Sequence, residues 1–167
     1  MHLVELFQSV ATQPLQQQGD EWVGEWSDGE QQFQITFQPD EHYVGCYEFW
    51  FSPTSHRPRG FLFYKDRLNR SQSASSVLGQ VVGYARQFLT QIRPAGLLFS
   101  QLEDKRARIY TTILHALAKE LASQGYTIVR PNEATVLLVQ RRSRAYLQYI
   151  AHWSKQKYAA MRDRLAA

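Results

Sequence analysis

Cysteine is nearly absent from this sequence, because Cys46 is the only one in 167 residues. A single cysteine excludes an internal disulfide and any metal cluster that needs several thiolates, and it fits a protein that folds in the reducing cytosol. Long apolar runs are missing as well, since none approaches the roughly 20 residues that a membrane-spanning helix needs. The first ten residues contain neither a basic segment nor an extended apolar core, so they lack the pattern of a secretory signal.

Residues arranged for metal or nucleophilic chemistry are also scarce. The five histidines are scattered, and no pair has the H-x-x-x-H or H-E-x-x-H spacing of a metal site. Neither a G-x-S-x-G nucleophile turn nor a phosphate-binding P-loop is present. The sequence therefore predicts no metal site, a small buried thiol at Cys46, and a partly buried position at the edge of the core for His115.

Apolar residues make up 44% of the chain and aromatic residues 13%, a composition typical of a packed globular domain. The charges are distributed unevenly. Residues 1–65 contain three basic and nine acidic side chains, a net charge of −6, whereas residues 66–167 contain 16 basic and six acidic side chains, a net charge of +10. Two interpretations stay open: a basic surface that faces a polyanion, or charges that pair within one folded body.

The first part of the chain predicts a short helix followed by four antiparallel strands. Apolar residues within residues 3–10 have helical spacing, and the polar residues 12–20 are expected to form a loop. In residues 31–38, Phe33, Ile35 and Phe37 alternate with polar side chains, which predicts one buried and one wet strand face. The other strands are expected at residues 22–26, 42–51 and 60–65, and the one at residues 42–51 is expected to be central and covered on both sides.

The rest of the chain predicts alternating helices and strands. A helix capped by Ser75 or Ser76 is expected to end at Pro94, and a short buried strand follows at residues 97–99. Acidic residues 103 and 104 open a second helix, which Gly125 ends. The apolar residues 129 and 136–139 predict a hairpin, and residues 144–165 predict a C-terminal helix.

These elements predict an α/β (α+β) fold, with a single mixed sheet, an antiparallel N-terminal meander and helices on the faces of the sheet. Strands joined by a crossover helix are expected to pair in parallel with a right-handed connection. Residues 1–140 are expected to form one domain, and residues 141–167 a basic amphipathic C-terminal helix.

The order of meander, loop, helix, short strand, helix bearing a tyrosine and final hairpin resembles the GNAT family of acetyl-CoA-dependent N-acetyltransferases. Residues 70–75 match the family's cofactor loop, residues 96–100 its splayed strand, and residues 104–110 the start of its second helix. The family binds the pyrophosphate with a Q/R-x-x-G-x-G/A loop at a helix N-terminus. This chain has serines in place of the glycines, so the pyrophosphate site that the resemblance implies consists of Arg70, Ser73, Ser75 and Ser76.

The same resemblance implies that Tyr110 is the general acid that protonates the departing thiolate. The structural alternative is a tyrosine whose ring packs in the core. A general base is also needed to deprotonate an amine, and Glu48 is the candidate because its aromatic neighbours in sequence could desolvate the carboxylate. The alternative for Glu48 is a position on the exposed face of its strand.

A second resemblance is to small uncharacterised bacteriophage proteins, and it rests on several short pieces of sequence. It implies a phage origin, with the host cytoplasm or the virion as the compartment, and it implies no established activity. The pieces are an L-x-E-L-F start at residues 3–7, Trp22 with Trp26, V-x-x-x-V at residues 77–81, Phe99-Ser100, and Arg106 and Arg108 ahead of Tyr110.

The C-terminal segment is strongly basic, because residues 141–167 contain seven basic side chains and one acidic side chain. Cations interleaved with aromatic side chains suit contacts with nucleic acid. An amphipathic helix also suits docking on a partner chain or on its own domain. The candidate binding residues are Arg141, Arg142, Arg144, Trp153, Lys155, Lys157, Arg162 and Arg164.

Two hypotheses from different classes follow. The favoured one is a non-catalytic phage accessory or virion protein that keeps an acyltransferase-like scaffold and binds nucleic acid or a host or phage protein with its basic C-terminal half. The alternative is an N-acyltransferase that acts on an amine, with acetyl-CoA as its cofactor. No membrane association is expected, and the sequence does not indicate an oligomeric state.

Overall fold

A computed structural model describes residues 12–28, 31–54, 74–102 and 105–166, with only the backbone for residues 74 and 75. Contacts between Cα atoms divide the chain into two compact units. The first unit contains residues 1–39 and 47–94, and the second contains residues 40–46 and 95–167. The predicted helix at residues 3–10 and the predicted strand at residues 60–65 lie outside the described residues.

The first unit is built on a meander of antiparallel strands in the order β1-β2-β3-β4. Trp26 is opposite Phe33 in the β2–β3 pair, and Phe37 is opposite Phe49 in the β3–β4 pair. The predicted antiparallel meander is therefore confirmed. Cys46, the first residue of β4, belongs to the second unit. The strands are β1 (Gln16–Gln18), β2 (Glu21–Asp28), β3 (Gln31–Pro39) and β4 (Cys46–Pro53).

The alternating pattern of β3 places its three apolar side chains in the core, as predicted. The opposite face of β3 is less exposed to solvent than predicted. Gln32 and Gln38 are exposed, but Thr36 is buried. Thr36 is opposite Val23 in β2 and Trp50 in β4, so large side chains on both neighbouring strands cover it.

The prediction of a loop over residues 12–20 is wrong, because Gln16–Gln18 forms the edge strand β1. All three glutamine side chains are exposed. The strand is held by backbone pairing with β2 across a tight turn, in which Gly19 has a φ of +67°. A short polar strand of this kind has no apolar periodicity, which is the signal that sequence analysis uses.

Helix α1 (Ala74–Gln87) and the π-helical turn that continues it (Phe88–Ile92) are the helical elements described in the first unit. Arg93 follows with a left-handed φ of 54°, and Pro94 cannot continue a helix, so the predicted end is confirmed. The start differs slightly from the prediction. Because α1 begins at Ala74, the two predicted cap serines lie in its first turn rather than before it.

Aromatic side chains of this helical segment pack on the meander. The ring of Phe88 stacks on Phe37 with their centroids 4.2 Å apart. The ring of Tyr84 lies on Gly24, where an added Cβ atom would approach ring atoms to 2.5 Å. The Tyr84 hydroxyl donates a hydrogen bond of 2.6 Å to the carbonyl oxygen of Glu25, and burial raises the pKa of Tyr84. These contacts hold α1 against β2 and β3.

The described residues of the second unit form three strands and two α-helices, and the strand order is β5-β7-β6 with both pairs antiparallel. A short 3-10 turn (Ala122–Gln124) follows α2, and Gly125 ends the helical segment with a φ of +90°, as predicted. The elements are β5 (Gly96–Phe99), α2 (Ala107–Glu120), β6 (Tyr126–Asn132), β7 (Thr135–Gln140) and α3 (Arg144–Ala166).

The prediction that strands joined by a crossover helix pair in parallel is wrong for β5 and β6, because β7 lies between them. The tight connection at Glu133 and Ala134 lets β7 fold back on β6, and this hairpin was predicted correctly. The four apolar residues 136–139 of β7 are all buried. A strand that is apolar on both faces is best buried between two other strands, which explains why β7 is not at the edge.

The described elements confirm an α+β fold with an antiparallel N-terminal meander and a long C-terminal helix. The prediction for His115 is wrong, because its side chain is exposed on α2. His115 directly follows the buried Leu114 and so points about 100° away from it around the helix. None of the described helices is both long enough and apolar enough to cross a bilayer.

Substituting Gly96 with alanine should destabilise the second unit. A Cβ atom at Gly96 would overlap the carbonyl oxygen of Leu138 and lie 3.2 Å from Cys46 Sγ, and a backbone oxygen cannot move aside as a flexible side chain can. Overpacking of this kind costs about 1–3 kcal/mol. Urea unfolding followed by far-UV circular dichroism, to which the helices of the second unit contribute, should give a lower midpoint for G96A and an unchanged midpoint for the exposed control S123A. Equal midpoints for G96A and the unmodified chain would contradict this close packing.

Candidate functional site

The residues predicted to hold the pyrophosphate of acetyl-CoA are described only in part. Arg70 and Ser73 lie outside the described residues. Ser75 lies in the first turn of α1, and Ser76 is exposed in the same turn. The pyrophosphate site therefore stays a prediction.

The two residues predicted for proton transfer lie in different units. Glu48 is half-buried on β4, opposite Gln38 of β3, so it is neither fully exposed nor fully covered. Tyr110 lies on α2 with only 1% of its surface exposed. Its ring stacks on Phe99 with centroids 4.4 Å apart and planes 6° apart, which matches the structural alternative of a packed ring. Their roles as base and acid stay predictions.

Cys46 is a buried thiol, as predicted. Its surface is fully buried in a cluster that includes Tyr43, Leu98 and Leu137. Burial, with a smaller contribution from Asp40, raises the pKa of Cys46 to about 12. Because the thiolate is the nucleophile and the metal ligand, a thiol that stays protonated near neutral pH is suited to neither role.

Most of α3 is exposed to solvent. Ala145 is buried, and Tyr146 and Tyr149 are half-buried. Gln148 Nε2 donates a hydrogen bond of 3.3 Å to the carbonyl oxygen of His42. From residue 150 to residue 166 every side chain is exposed except that of Ala159, which is half-buried. Burial of α3 against its own unit is therefore concentrated at the start of the helix.

Five large apolar side chains are exposed on one face of α3, which we call the apolar stripe. Ser154 lies on the same face, between the second and third of them. At about 100° per residue they lie within about 80° of the helix circumference, on the side opposite Ala145. Between 37% and 86% of the surface of each is exposed. The five residues are Leu147, Ile150, Tyr158, Met161 and Leu165.

Basic side chains border the apolar stripe on both sides. By helical spacing, Lys155 and Arg162 lie along one edge, and Lys157 and Arg164 lie along the other. All four are exposed. Arg162 Nε lies 3.9 Å from a carboxylate oxygen of Asp163, but both side chains are more than two-thirds exposed, so the pair is weak. Within the described part of the chain, no carboxylate lies within ion-pairing distance of the other three cations.

The remaining predicted binding residues are also exposed. Arg141 and Arg142 lie in the turn between β7 and α3, and Arg144 is the first residue of α3. The Trp153 ring is 47% exposed and lies 4.8 Å from Lys157 Nζ, a cation–π contact. The structure therefore places all eight predicted binding residues on α3 or in the turn that precedes it.

One feature of the second unit was not predicted from the sequence. A cavity of about 570 Å³ is lined by residues from the turn before β4, from the β6–β7 hairpin and from α3. His42 and His152 both line it although they are distant in sequence, so their spacing could not have indicated it. Over the described ranges, no group of three or more His, Cys, Asp or Glu side chains could hold a metal ion. Other lining residues are Asn132, Glu133, Tyr149 and Gln156.

Comparison with protein-family models, with curated proteins and with solved structures found no match. The GNAT and bacteriophage resemblances therefore stay predictions that rest on the sequence. Among the described residues, the exposed surface of α3 is the candidate functional site, because of its geometry and charge.

Cys46 should resist thiol reagents in the folded protein. At pH 8 its raised pKa and full burial leave almost no accessible thiolate, whereas the unfolded chain exposes an ordinary cysteine. Reaction with 5,5′-dithiobis(2-nitrobenzoate) should be at least about 100-fold slower in native buffer than in 6 M guanidinium chloride. Comparable rates in the two conditions would show that Cys46 is accessible.

Proposed function

We propose that this chain is a non-catalytic binding protein that holds an anionic macromolecule with α3. The observation that supports this most directly is the exposed face of α3, an apolar stripe bordered on both sides by basic side chains. A helix that only completes its own unit buries its apolar residues against that unit. The apolar residues of α3 instead lie opposite Ala145, the residue that is buried.

The charge of α3 supports an anionic partner. The helix contains five basic side chains and one acidic side chain. Successive turns are about 5.4 Å apart, which is less than the Debye length of about 8 Å at physiological ionic strength. The potentials of neighbouring cations therefore add, and the exposed face attracts anionic surfaces.

The same proposal includes an acyltransferase-like scaffold. The order of meander, α1, β5, α2 with Tyr110 and the β6–β7 hairpin supports the resemblance to GNAT enzymes. The serines that replace the loop glycines favour a scaffold that does not turn over substrate. A bacteriophage origin and a place in the host cytoplasm or the virion belong to the proposal, and their support is the sequence resemblance.

Reversing the charges that border the apolar stripe should weaken binding to a polyanion. The variant K155E/K157E/R162E/R164E should elute from a heparin column at a salt concentration lower by at least about 0.2 M, because fewer counterions are released on binding. The four side chains are exposed, so circular dichroism should show unchanged helix content.

The matched control reverses four exposed cations elsewhere in the second unit, in the variant K105E/R108E/K119E/R130E. It changes the net charge by the same amount and should elute much closer to the unmodified chain. If the two variants shift equally, net charge rather than α3 controls binding, and the proposal fails.

The second candidate is a CoA-dependent N-acyltransferase that acts on an amine, and the element order is the observation that favours it. In that case Arg70, Ser73, Ser75 and Ser76 would hold the pyrophosphate. Glu48 would act as the base and Tyr110 as the acid.

Calorimetry with acetyl-CoA separates the two candidates. The acyltransferase predicts saturable binding that is weakened at least about tenfold by R70A, because one cation at the pyrophosphate is lost. The binding protein predicts no saturable heat with acetyl-CoA. Saturable, Arg70-dependent binding would therefore overturn the non-catalytic proposal, and K105E serves as the control for loss of a cation elsewhere.

A further inference from the structure

We infer that the anionic macromolecule is a protein with an apolar groove bordered by carboxylates, into which α3 lays its apolar stripe. This inference rests on the proposed function and identifies the class of partner. Two features of α3 support it, the shape of the stripe and the cations along both of its edges. These features fit a protein groove better than they fit nucleic acid or an anionic bilayer.

The stripe has the dimensions of a helix-binding seam. From residue 147 to residue 165 it extends about 27 Å at 1.5 Å per residue. Its width of about 80° is narrower than the apolar face of about 100° or more by which a helix packs on a globular core. Its positions follow one another at three- and four-residue steps and are apolar except at Ser154. This pattern fits a groove between helices, or the seam of a coiled coil with one polar position.

The cations on both edges define the rim of that groove. Lys155 and Arg162 on one side, and Lys157 and Arg164 on the other, would each face the partner beside the buried seam. In paired helices, charged residues beside the apolar seam determine which partner binds and in which orientation. A partner with carboxylates on both rims gains attraction at each edge, whereas one with basic rims is repelled.

A second copy of this chain does not meet that requirement. Pairing two α3 helices through their stripes would bring basic edges against basic edges in either orientation. Asp163 is the only acid in α3, and helical spacing places it on the side of Ala145, away from the seam. Self-association through α3 is therefore opposed by repulsion along both edges.

Nucleic acid is a poorer match than a protein groove. Interfaces with DNA are more polar and more positively charged than interfaces between proteins. In α3 the cations lie at the edges, and the middle of the face consists of four apolar side chains, one tyrosine and one serine. Phosphates would meet the edges while Leu147, Ile150, Met161 and Leu165 gained no apolar partner.

An anionic bilayer is also a poorer match. A helix that lies in a membrane surface places large apolar and aromatic residues together on one broad face. The stripe of α3 covers only about 80° of the helix circumference. Trp153 lies about 100° from the centre of the stripe and contacts Lys157 instead of extending the apolar face.

The test uses three labelled or immobilised anionic probes with the full chain. The first is a synthetic helix of about 28 residues with leucine at positions a and d and glutamate at positions e and g. The same helix with lysine at e and g is its control. The second probe is a DNA duplex, and the third is phosphatidylglycerol vesicles. Binding is measured by fluorescence anisotropy for the peptides and DNA and by co-sedimentation for the vesicles, at physiological salt.

The inference predicts saturable binding of the acidic helix, and binding of the basic helix weaker by roughly tenfold or more. The seam variant L147Q/M161Q/L165Q keeps every charge and should weaken binding of the acidic helix by roughly tenfold or more, because the buried apolar contacts are lost. V44Q replaces an exposed apolar residue outside α3 and should bind as the unmodified chain does.

The outcomes separate the inference from the proposed function. Tighter binding of DNA or vesicles than of the acidic helix overturns the inference and leaves an anion-binding role for α3. Binding of the acidic helix that survives the seam variant overturns it as well, because charge alone would then suffice. If no probe binds and heparin retention is unaffected by charge reversal in α3, the proposed function fails together with the inference.

Discussion

The ring of Tyr84 lies against Gly24 because a residue without a side chain lets α1 approach β2 so closely. The hydrogen bond from the Tyr84 hydroxyl to the carbonyl oxygen of Glu25 sets the depth of this contact, and the stack of Phe88 on Phe37 extends it along the helix. Burying these large rings removes much apolar surface from water, at about 25 cal/mol for each Å². The apolar face of the meander is therefore buried because α1 packs on it.

The second unit also depends on close approach of the backbone. Gly96 leaves room for the Leu138 carbonyl oxygen and for Cys46, so that β5 and β7 pair beside a fully buried thiol. The apolar residues of β7 occupy the middle of the three strands, where both faces are covered. This arrangement gives α3 a rigid starting point, because Ala145 at its beginning packs in the same cluster as Cys46.

Helix α3 differs from the rest of the chain in leaving its apolar stripe exposed. Each large apolar side chain that stays in water forgoes about 1.5–3 kcal/mol that full burial would contribute. The helix can form without that burial because alanine, leucine, lysine, arginine, glutamine and methionine, all good helix formers, make up much of it. The exposed apolar stripe and the exposed cations beside it are thus the available source of binding free energy in α3. A partner with carboxylates around an apolar groove would contact both.

Local spacing in the sequence determined which side chains share a face, because strands repeat every two residues and helices every 3.6. That was sufficient for the buried side of β3, the end of α1, the β6–β7 hairpin and the basic C-terminal helix. It was not sufficient for β1, for the insertion of β7 between β5 and β6, or for the cavity that His42 and His152 share. Only the tertiary structure decided these, and it also decided that the Ala145 side of α3 is buried while the apolar stripe is exposed, because each depends on contacts between residues far apart in the chain.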